Sequence, residues 1–179
     1  DLRQAVQEPV VLFREGHRDI DYVLSLPDKP LNMSIDRRLI TRAVTNLVKN
    51  ASEAVETARE AALKDDPNWK GKIETILTPL ADRVTIEVID NGTGLPKQNR
   101  VRLTEPYVTT KGHKGTGLGL AMVQKITEQH GGTLSLEDAP PAPGRPHGAL
   151  VRITLPLVLD HGPARPASPN SPTEQAVAH

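Results

Sequence analysis

Asp90-Asn91-Gly92-Thr93-Gly94 stands directly behind the alternating run Val84–Asp90. An acid and two glycines at the end of a strand make a loop whose main chain can approach a flat ligand with no Cβ in the way. Read alone, Asp-Asn-Gly is equally good turn chemistry. Two further stretches change its weight. Upstream, Asn46-Leu47-Val48-Lys49-Asn50-Ala51 puts two amides on an otherwise apolar helix; downstream, Gly115-Thr116-Gly117-Leu118-Gly119-Leu120 is a triple-glycine turn that opens another helix.

Around these stretches the chain divides by periodicity. Residues 1–15 carry Leu2, Val6, Val10 and Phe13 at helical spacing, and Pro9 is expected to interrupt them. Ile20, Tyr22, Leu24 and Leu26 alternate as a strand does, and Asp28-Lys29-Pro30 is expected to turn into a second short strand at Leu31–Ile35. A long helix is predicted from about Arg37 on the stripe Ile40, Ala43, Val44, Leu47, Val48, Ala51, Ala54, Val55 and Ala58, ending at Asp65-Asp66-Pro67. Ile73–Pro79 and Val84–Asp90 form a strand pair, with Val84, Ile86 and Val88 inward. Residues 91–116 have no periodic pattern, and an aperiodic loop of that length in a compact domain is usually functional or disordered. Leu118–His130 is a predicted helix with Gly131-Gly132 as a left-handed C-cap, and Thr133–Glu137 and Ala149–Leu155 are strands. The tail from Asp160, with Pro163, Pro166, Pro169 and Pro172, is expected to be disordered. This order predicts an α/β (α+β) two-layer sandwich, a mixed and mostly antiparallel sheet with helices on one face.

Composition bounds the function. Lys+Arg and Asp+Glu both number 22, so no net charge points to nucleic acid or to acidic lipid. The absence of cysteine excludes disulfides and thiol metal sites and fits a reducing compartment. No apolar run approaches the ~18 residues a membrane span needs. The chain opens at Asp1, and the expectation is a piece of a longer protein.

Asn46, Asn50 and Glu53, at i, i+4 and i+7, share one helix face. Half-buried amides need partners, which a hydrated Mg²⁺ with phosphate oxygens supplies; a place at the solvent edge of the helix is the alternative. The carboxylate of Asp90 can accept from an exocyclic amine, which adenine has at N6 and guanine lacks at the matching position. The free N–H groups where the Gly115–Gly119 turn opens its helix suit polyphosphate, although a flexible hinge has the same composition. The spacing is neither G-x-G-x-x-G nor a Walker A.

Together these stretches resemble the N, G1 and G2 boxes of the histidine-kinase ATP-binding (GHKL, Bergerat-fold) domain, over about residues 30–157. Leu103-Thr104-Glu105-Pro106-Tyr107-Val108-Thr109-Thr110-Lys111 is similar to that family's F box, with Tyr107 where phenylalanine is commonest. The wording is most similar to nitrogen-regulation sensor kinases of the NtrY type. The resemblance implies a chain made of a connecting helix remnant at 1–15, an ATP-binding catalytic domain at 16–159 with a lid at about 97–114, and the tail at 160–179. It implies Asn46, Asn50 and Lys111 as catalytic residues and Asn50 as the Mg²⁺ ligand. Nucleotide binding falls to Asn50, Glu53, Ala54, Asp90, Gly92, Gly94, Leu95, Tyr107, Thr109, Thr110, Lys111, Gly115, Thr116, Gly117, Leu118, Gly119, Leu120 and Thr154. His113 and Lys114 are further candidates to neutralise phosphate charge, or part of a solvated basic loop. Thr154 is expected on an inward-facing strand, reaching adenine through water near Asp90, or else is an ordinary sheet threonine.

The implied activity is transfer of the ATP γ-phosphate to a histidine on a separate dimerisation domain of the same parent, then to a response-regulator receiver domain. None of the six histidines has the acceptor context, so the acceptor is expected elsewhere. The related ATPases use a glutamate where this chain has Asn46, which disfavours hydrolysis. A GHKL serine kinase or an ATPase domain is the alternative. The implied location is cytoplasmic, on a membrane-anchored parent, with no membrane or nucleic-acid contact by this stretch.

Overall fold

A computed structural model describes residues 1–108, 117–145 and 147–157. Helix α1 (Leu2–Gly16) is capped by Asp1, whose side chain accepts from the Arg3 N–H at 3.0 Å. Pro9 does not interrupt it. Leu2, Ala5, Val6, Pro9 and Val10 lie buried on one face against α2 (Arg37–Asp65) and β1 (Ile20–Ser25). That packing offsets the ~3 kcal/mol a mid-helix proline costs. The helix expected to be a connector thus contributes to the domain's main apolar core.

The strand expected at Leu31–Ile35 is absent; Met33 alone makes a bridge. The physical reason is competition for main-chain groups. The Leu31 carbonyl accepts from the Leu2 N–H at 2.8 Å, and the Leu31 N–H donates to Asp1 Oδ1 at 3.1 Å. Leu31 therefore caps α1 with both its main-chain groups and has none left for a ladder.

Strands β2 (Gly71–Pro79), β3 (Arg83–Asp90), β4 (Thr133–Asp138) and β5 (Ala149–Pro156) complete a five-stranded sheet in the order β1-β2-β3-β5-β4. The β1–β2 pair is parallel and the others antiparallel. Ile73, Leu77, Val84, Ile86, Val88, Ile153 and Leu155 face α1, α2 and α3 (Gly119–Gln129) in one core. The expected mixed sheet, with helices on one face, is what the chain forms. The other face carries Arg152 between Glu87 (2.6 Å) and Glu137 (2.7 Å), and a small cluster of Ile89, Ala139 and Leu150.

Gly131, at φ +68°, ends α3 as the sequence predicted. His130 also ties α3 to α2. Its Nε2 accepts the Asp36 N–H at 3.1 Å, so Nδ1 carries the proton and donates to the Ile126 carbonyl at 2.8 Å. Asp36 in turn caps α2 by accepting from the Arg38 and Leu39 N–H groups. The expected disordered tail lies outside the described residues.

One core polar group is orphaned. Thr75 is 1% exposed, opposite Leu24 and Val88 in neighbouring strands, and its Oγ1 has no hydrogen-bond partner among the described residues. An unmet buried hydroxyl costs on the order of 1 kcal/mol or more. Thr75→Val should therefore raise the stability measured by urea unfolding by about 1 kcal/mol; an unchanged or lower midpoint would show that the hydroxyl is satisfied.

Candidate functional site

The apolar stripe of α2 turns its back to the site, so the polar positions between stripe residues face outward along one line. Asn46 and Asn50 are both half-buried there. Asn46 Nδ2 donates to the Arg42 carbonyl at 2.9 Å and lies 3.6 Å from Met122 Sδ of α3. Helix α3 begins directly over the two amides. A Cβ built on Gly119 would stand 3.3 Å from Asn46 Oδ1 and 3.7 Å from Asn50 Nδ2. Leu118, the N-cap of α3, gives it no side-chain cap among the described residues, and the N terminus of the helix with its dipole stands beside the amides.

Glu53 lies a turn further on and faces Lys49 at 4.0 Å. Beyond it, the loop after β3 closes onto the helix. The Thr93 N–H donates to the Ala54 carbonyl at 3.3 Å. Gly92 approaches so closely that a Cβ there would fall 2.5 Å from the Ala54 carbonyl carbon, so no larger residue fits. Asn46 and Ala54, eight residues apart, bracket a strip about 12 Å long on α2 at ~1.5 Å per residue. The glycine turn lies over one end and the Asp90 loop over the other.

Asp90 is 4% exposed, on the inner face of β3. Its Oδ1 accepts from the Gly92 N–H at 2.9 Å and from the Ala149 N–H at 3.3 Å. Two main-chain donors orient the carboxylate, as a buried acid requires. The next residue, Asn91, is equally buried, and every polar group of its side chain is used. Oδ1 accepts from the Lys72 N–H at 2.7 Å; Nδ2 donates to the Lys70 carbonyl at 2.7 Å and to the Gly144 carbonyl at 3.1 Å.

Thr154 does not join this group. It is in register with Thr85 and Thr133, and with Arg152 and Glu87 it lies on the sheet face away from the helices. Adjacent β-strand residues point to opposite faces, and Ile153 and Leu155 take the inner one. In the β3–β5 register the residue beside Asp90 is Ala149, which offers only its main-chain N–H.

The described part of the expected lid contains a 3-10 turn, Arg100–Thr104, with Leu103 buried. The Tyr107 N–H donates to the Gly117 carbonyl at 3.0 Å, which lays this segment against the glycine turn, while its side chain is 79% exposed. Gly94 and Leu95 extend the Asp90 loop, and Leu118 and Leu120 flank Gly119, with Leu120 packed on the core. Thr109, Thr110, Lys111, His113, Lys114, Gly115 and Thr116 lie outside the described residues. The structure thus brings Asn46, Asn50, Ala54, Asp90, Gly92 and Gly119 along one strip, sets Gly117 against Tyr107 and Val108, and leaves Thr154 behind the sheet. Sequence reasoning took Asn91 only as a turn residue. The amide between an acid and a glycine was the available signal, but its partners are distant in sequence.

The donor set fits a nucleotide with a hydrated cation. Amide oxygens and a helix N terminus sit together at one end, and a fixed, buried carboxylate sits at the other.

Residues 35–159 match the family described as histidine kinase-, DNA gyrase B-, and HSP90-like ATPase. The chain is 44% identical to nitrogen regulation protein NtrY of Azorhizobium caulinodans over 155 residues, covering 87% of this chain and 19% of that protein. It is 37% identical to the sensory histidine kinase/phosphatase NtrB of Rhodobacter capsulatus, over 76% of this chain and 36% of that one. The chain therefore spans a fraction of the length of these relatives. Among solved structures it is similar to the mycobacterial sensor histidine kinase MprB, with TM-score 0.71 and 26% identity over 87% of this chain and 95% of that one. The nucleotide-free catalytic domain of histidine kinase ThkA gives 0.69 and 28%, over 87% and 94%. A sheet of this order, a long helix carrying paired amides and an acid–glycine loop opposite a glycine-opened helix accord with these matches, and the chain belongs to the histidine kinase-, DNA gyrase B- and HSP90-like ATPase family as a sensor-histidine-kinase catalytic domain.

Proposed function

We propose that this domain binds ATP with Mg²⁺ along the α2 strip and donates the γ-phosphate to a histidine on the dimerisation domain of its parent protein. The phosphate then passes to an aspartate of a response-regulator receiver domain. The observation that carries the reading is the pairing at opposite ends of the strip on α2: a buried, main-chain-oriented carboxylate at Asp90 and a glycine-opened helix over Asn46 and Asn50. Asp90 would accept from the adenine N6 amine, Gly92 would let the base lie flat against α2, and the α3 N terminus would face the phosphates.

Asn50 would hold Mg²⁺ through its amide oxygen, and the ion when bound supplies charge neutralisation at the phosphate oxygens. Asn46 would orient rather than titrate, because an amide takes no proton from water. Its Nδ2 is already spent on the Arg42 carbonyl, which leaves Oδ1 toward the glycine turn. That chemistry favours transfer to a positioned acceptor over hydrolysis and supports a kinase over an ATPase clamp. Lys111 is proposed to meet the γ-phosphate, and Tyr107 to close over nucleotide with the lid. The NtrY relative supports a nitrogen-regulation sensor kinase as the parent. A membrane-anchored parent with this domain on the cytoplasmic side is proposed on the sequence resemblance alone. Among the described residues no helix is long and apolar enough to cross a membrane.

Three measurements test the reading. Calorimetry should give ATP and ADP similar affinities and GTP a weaker one by ~2–4 kcal/mol, because guanine strands a buried acid. Asp90→Asn should erase most of that gap, and equal ATP and GTP binding by the unaltered chain would remove Asp90 from the role.

Asn50→Ala should weaken Mg²⁺-dependent ATP binding by about tenfold or more, on the scale of losing one charge-assisted contact, and barely alter binding in excess EDTA. Equal losses under both conditions would mean that Asn50 is structural.

Incubated alone with labelled ATP, the chain should neither label itself stably nor turn ATP over quickly. With the parent's dimerisation helices added in trans, a histidine there should become labelled, giving an acid-labile, base-stable product. Acid-stable phosphoserine would point to a serine kinase, and rapid release of phosphate by the chain alone would point to an ATPase.

A further inference from the structure

We infer that Asn91 is a positioning residue for base selectivity, acting through Asp90 by pinning the loop that leaves β3, and with it the Gly92 donor of the carboxylate, to the segment ahead of β2 and to the β4–β5 loop. The inference rests on the proposed role of Asp90 and extends it to a residue that does not itself face the base.

The argument starts from what holds Asp90 in place. Its Oδ1 is fixed by the N–H groups of Gly92 and Ala149. The first belongs to the loop leaving β3 and the second to the chain returning into β5. These segments are 57 residues apart in sequence. Ala149 is held by its pairing with Asp138 and by the neighbouring Ile89–Leu150 pair, but the loop that carries Gly92 lies past the last pair of the β2–β3 and β3–β5 ladders. Asn91 ties that loop down. One amide hydrogen goes to the Gly144 carbonyl in the β4–β5 loop and another to the Lys70 carbonyl ahead of β2, while Oδ1 takes the Lys72 N–H. The Asn91 main-chain N–H also donates to the Lys72 carbonyl at 3.2 Å.

The β4–β5 loop is seated against the same acid by close packing. A Cβ on Gly148, at φ +155°, would fall 1.9 Å from the Asp90 carbonyl oxygen, and Gly94 comes within 3.4 Å of the Gly148 carbonyl oxygen by the same measure. The Gly148 carbonyl accepts the Ala139 N–H at 3.0 Å, which closes the loop behind it. Only an amide meets the demand at Asn91. A carboxylate could not donate to two carbonyls, and an apolar side chain would release the exposed Lys70 and Gly144 segments to solvent and take the Oδ1 acceptor from the Lys72 N–H. With Asn91 removed, the loop that carries Gly92 loses its tether to Lys70, Lys72 and Gly144, and Asp90 loses the fixed position of one of its two main-chain donors. The phosphate end, at Asn46, Asn50 and Gly119, has no bond to Asn91 among the described residues.

The experiment is calorimetric titration of ATP, ADP and GTP into the unaltered chain, Asn91→Ala and Gly144→Ala. In Asn91→Ala, ATP and ADP should weaken together by on the order of tenfold and GTP much less, so the ATP/GTP ratio shrinks while ATP/ADP holds. Gly144→Ala should shift the ATP/GTP ratio the same way by a smaller factor. A Cβ there meets nothing within 4 Å, but φ +72° strains the turn that presents the carbonyl to Asn91. It also serves if Asn91→Ala does not fold. A general loss of structure would weaken all three nucleotides alike, and that result, or an unchanged ATP/GTP ratio in every variant that folds, overturns the inference. If the unaltered chain does not distinguish ATP from GTP, the Asp90 reading falls and this inference with it. If it does and the variants keep the ratio, only the inference falls.

Discussion

Burial of one face of α2 against the inner face of the sheet fixes where every site residue can be. The helix sinks Ile40, Ala43, Val44, Leu47, Val48, Ala51, Ser52, Val55 and Ala58 into the core. At ~1.5–3 kcal/mol for each large aliphatic side chain, this contact dominates any single polar interaction in the domain. Because the buried stripe fixes the rotation of the helix, Asn46, Asn50 and Glu53 are left at its margin. Their exposure follows from the apolar positions between them. Even Ser52, buried among apolar neighbours, is satisfied by the Val48 carbonyl and by the Tyr22 hydroxyl from β1.

The second constraint is that a buried acid must be held. Asp90 ends a strand on the core side, where an unpartnered carboxylate would cost several kcal/mol. Main-chain N–H groups from two separate segments meet that cost, and two glycines, Gly92 and Gly148, let those segments approach. The loop glycines therefore serve the architecture first. Gly92 abuts the Ala54 backbone and Gly148 abuts the Asp90 backbone, so the space near the acid is shaped by main chain on both sides. A fixed acid within main-chain walls can discriminate between bases in a way a mobile surface carboxylate cannot.

What the sequence disclosed follows from how local each signal is. Strands β2 to β5 and helices α2 and α3 were legible within a residue or two, because alternation and the 3.6-residue stripe are set by neighbours in sequence. The glycine C-cap at Gly131 was legible for the same reason. Pro9 misled because its local cost is real, and only the packing of α1 on α2 outweighs it. Leu31–Ile35 misled because its main-chain partners, Asp1 and Leu2, lie some thirty residues earlier in the chain. Thr154 is different: Ile153 and Leu155 flank it and are apolar, so strand parity alone places it outward. Asn91 could not be read, since its amide partners Lys70 and Gly144 are 21 and 53 residues away.

The division of labour along α2 also bears on the chemistry. Phosphoryl transfer asks a protein mainly for positioning and charge neutralisation, and hydrolysis adds the need for a base that orients water. The described strip holds amides, a helix N terminus and one buried acid, with that acid at the far end from the glycine turn. Glu53, the nearest carboxylate in sequence to the paired amides, faces Lys49. A strip built this way can hold a nucleotide and present its terminal phosphate while doing little to activate water. On the proposed reading that asymmetry is the working principle of the domain: the phosphate stays intact until an acceptor is brought to it, so the timing of transfer belongs to whatever delivers the histidine.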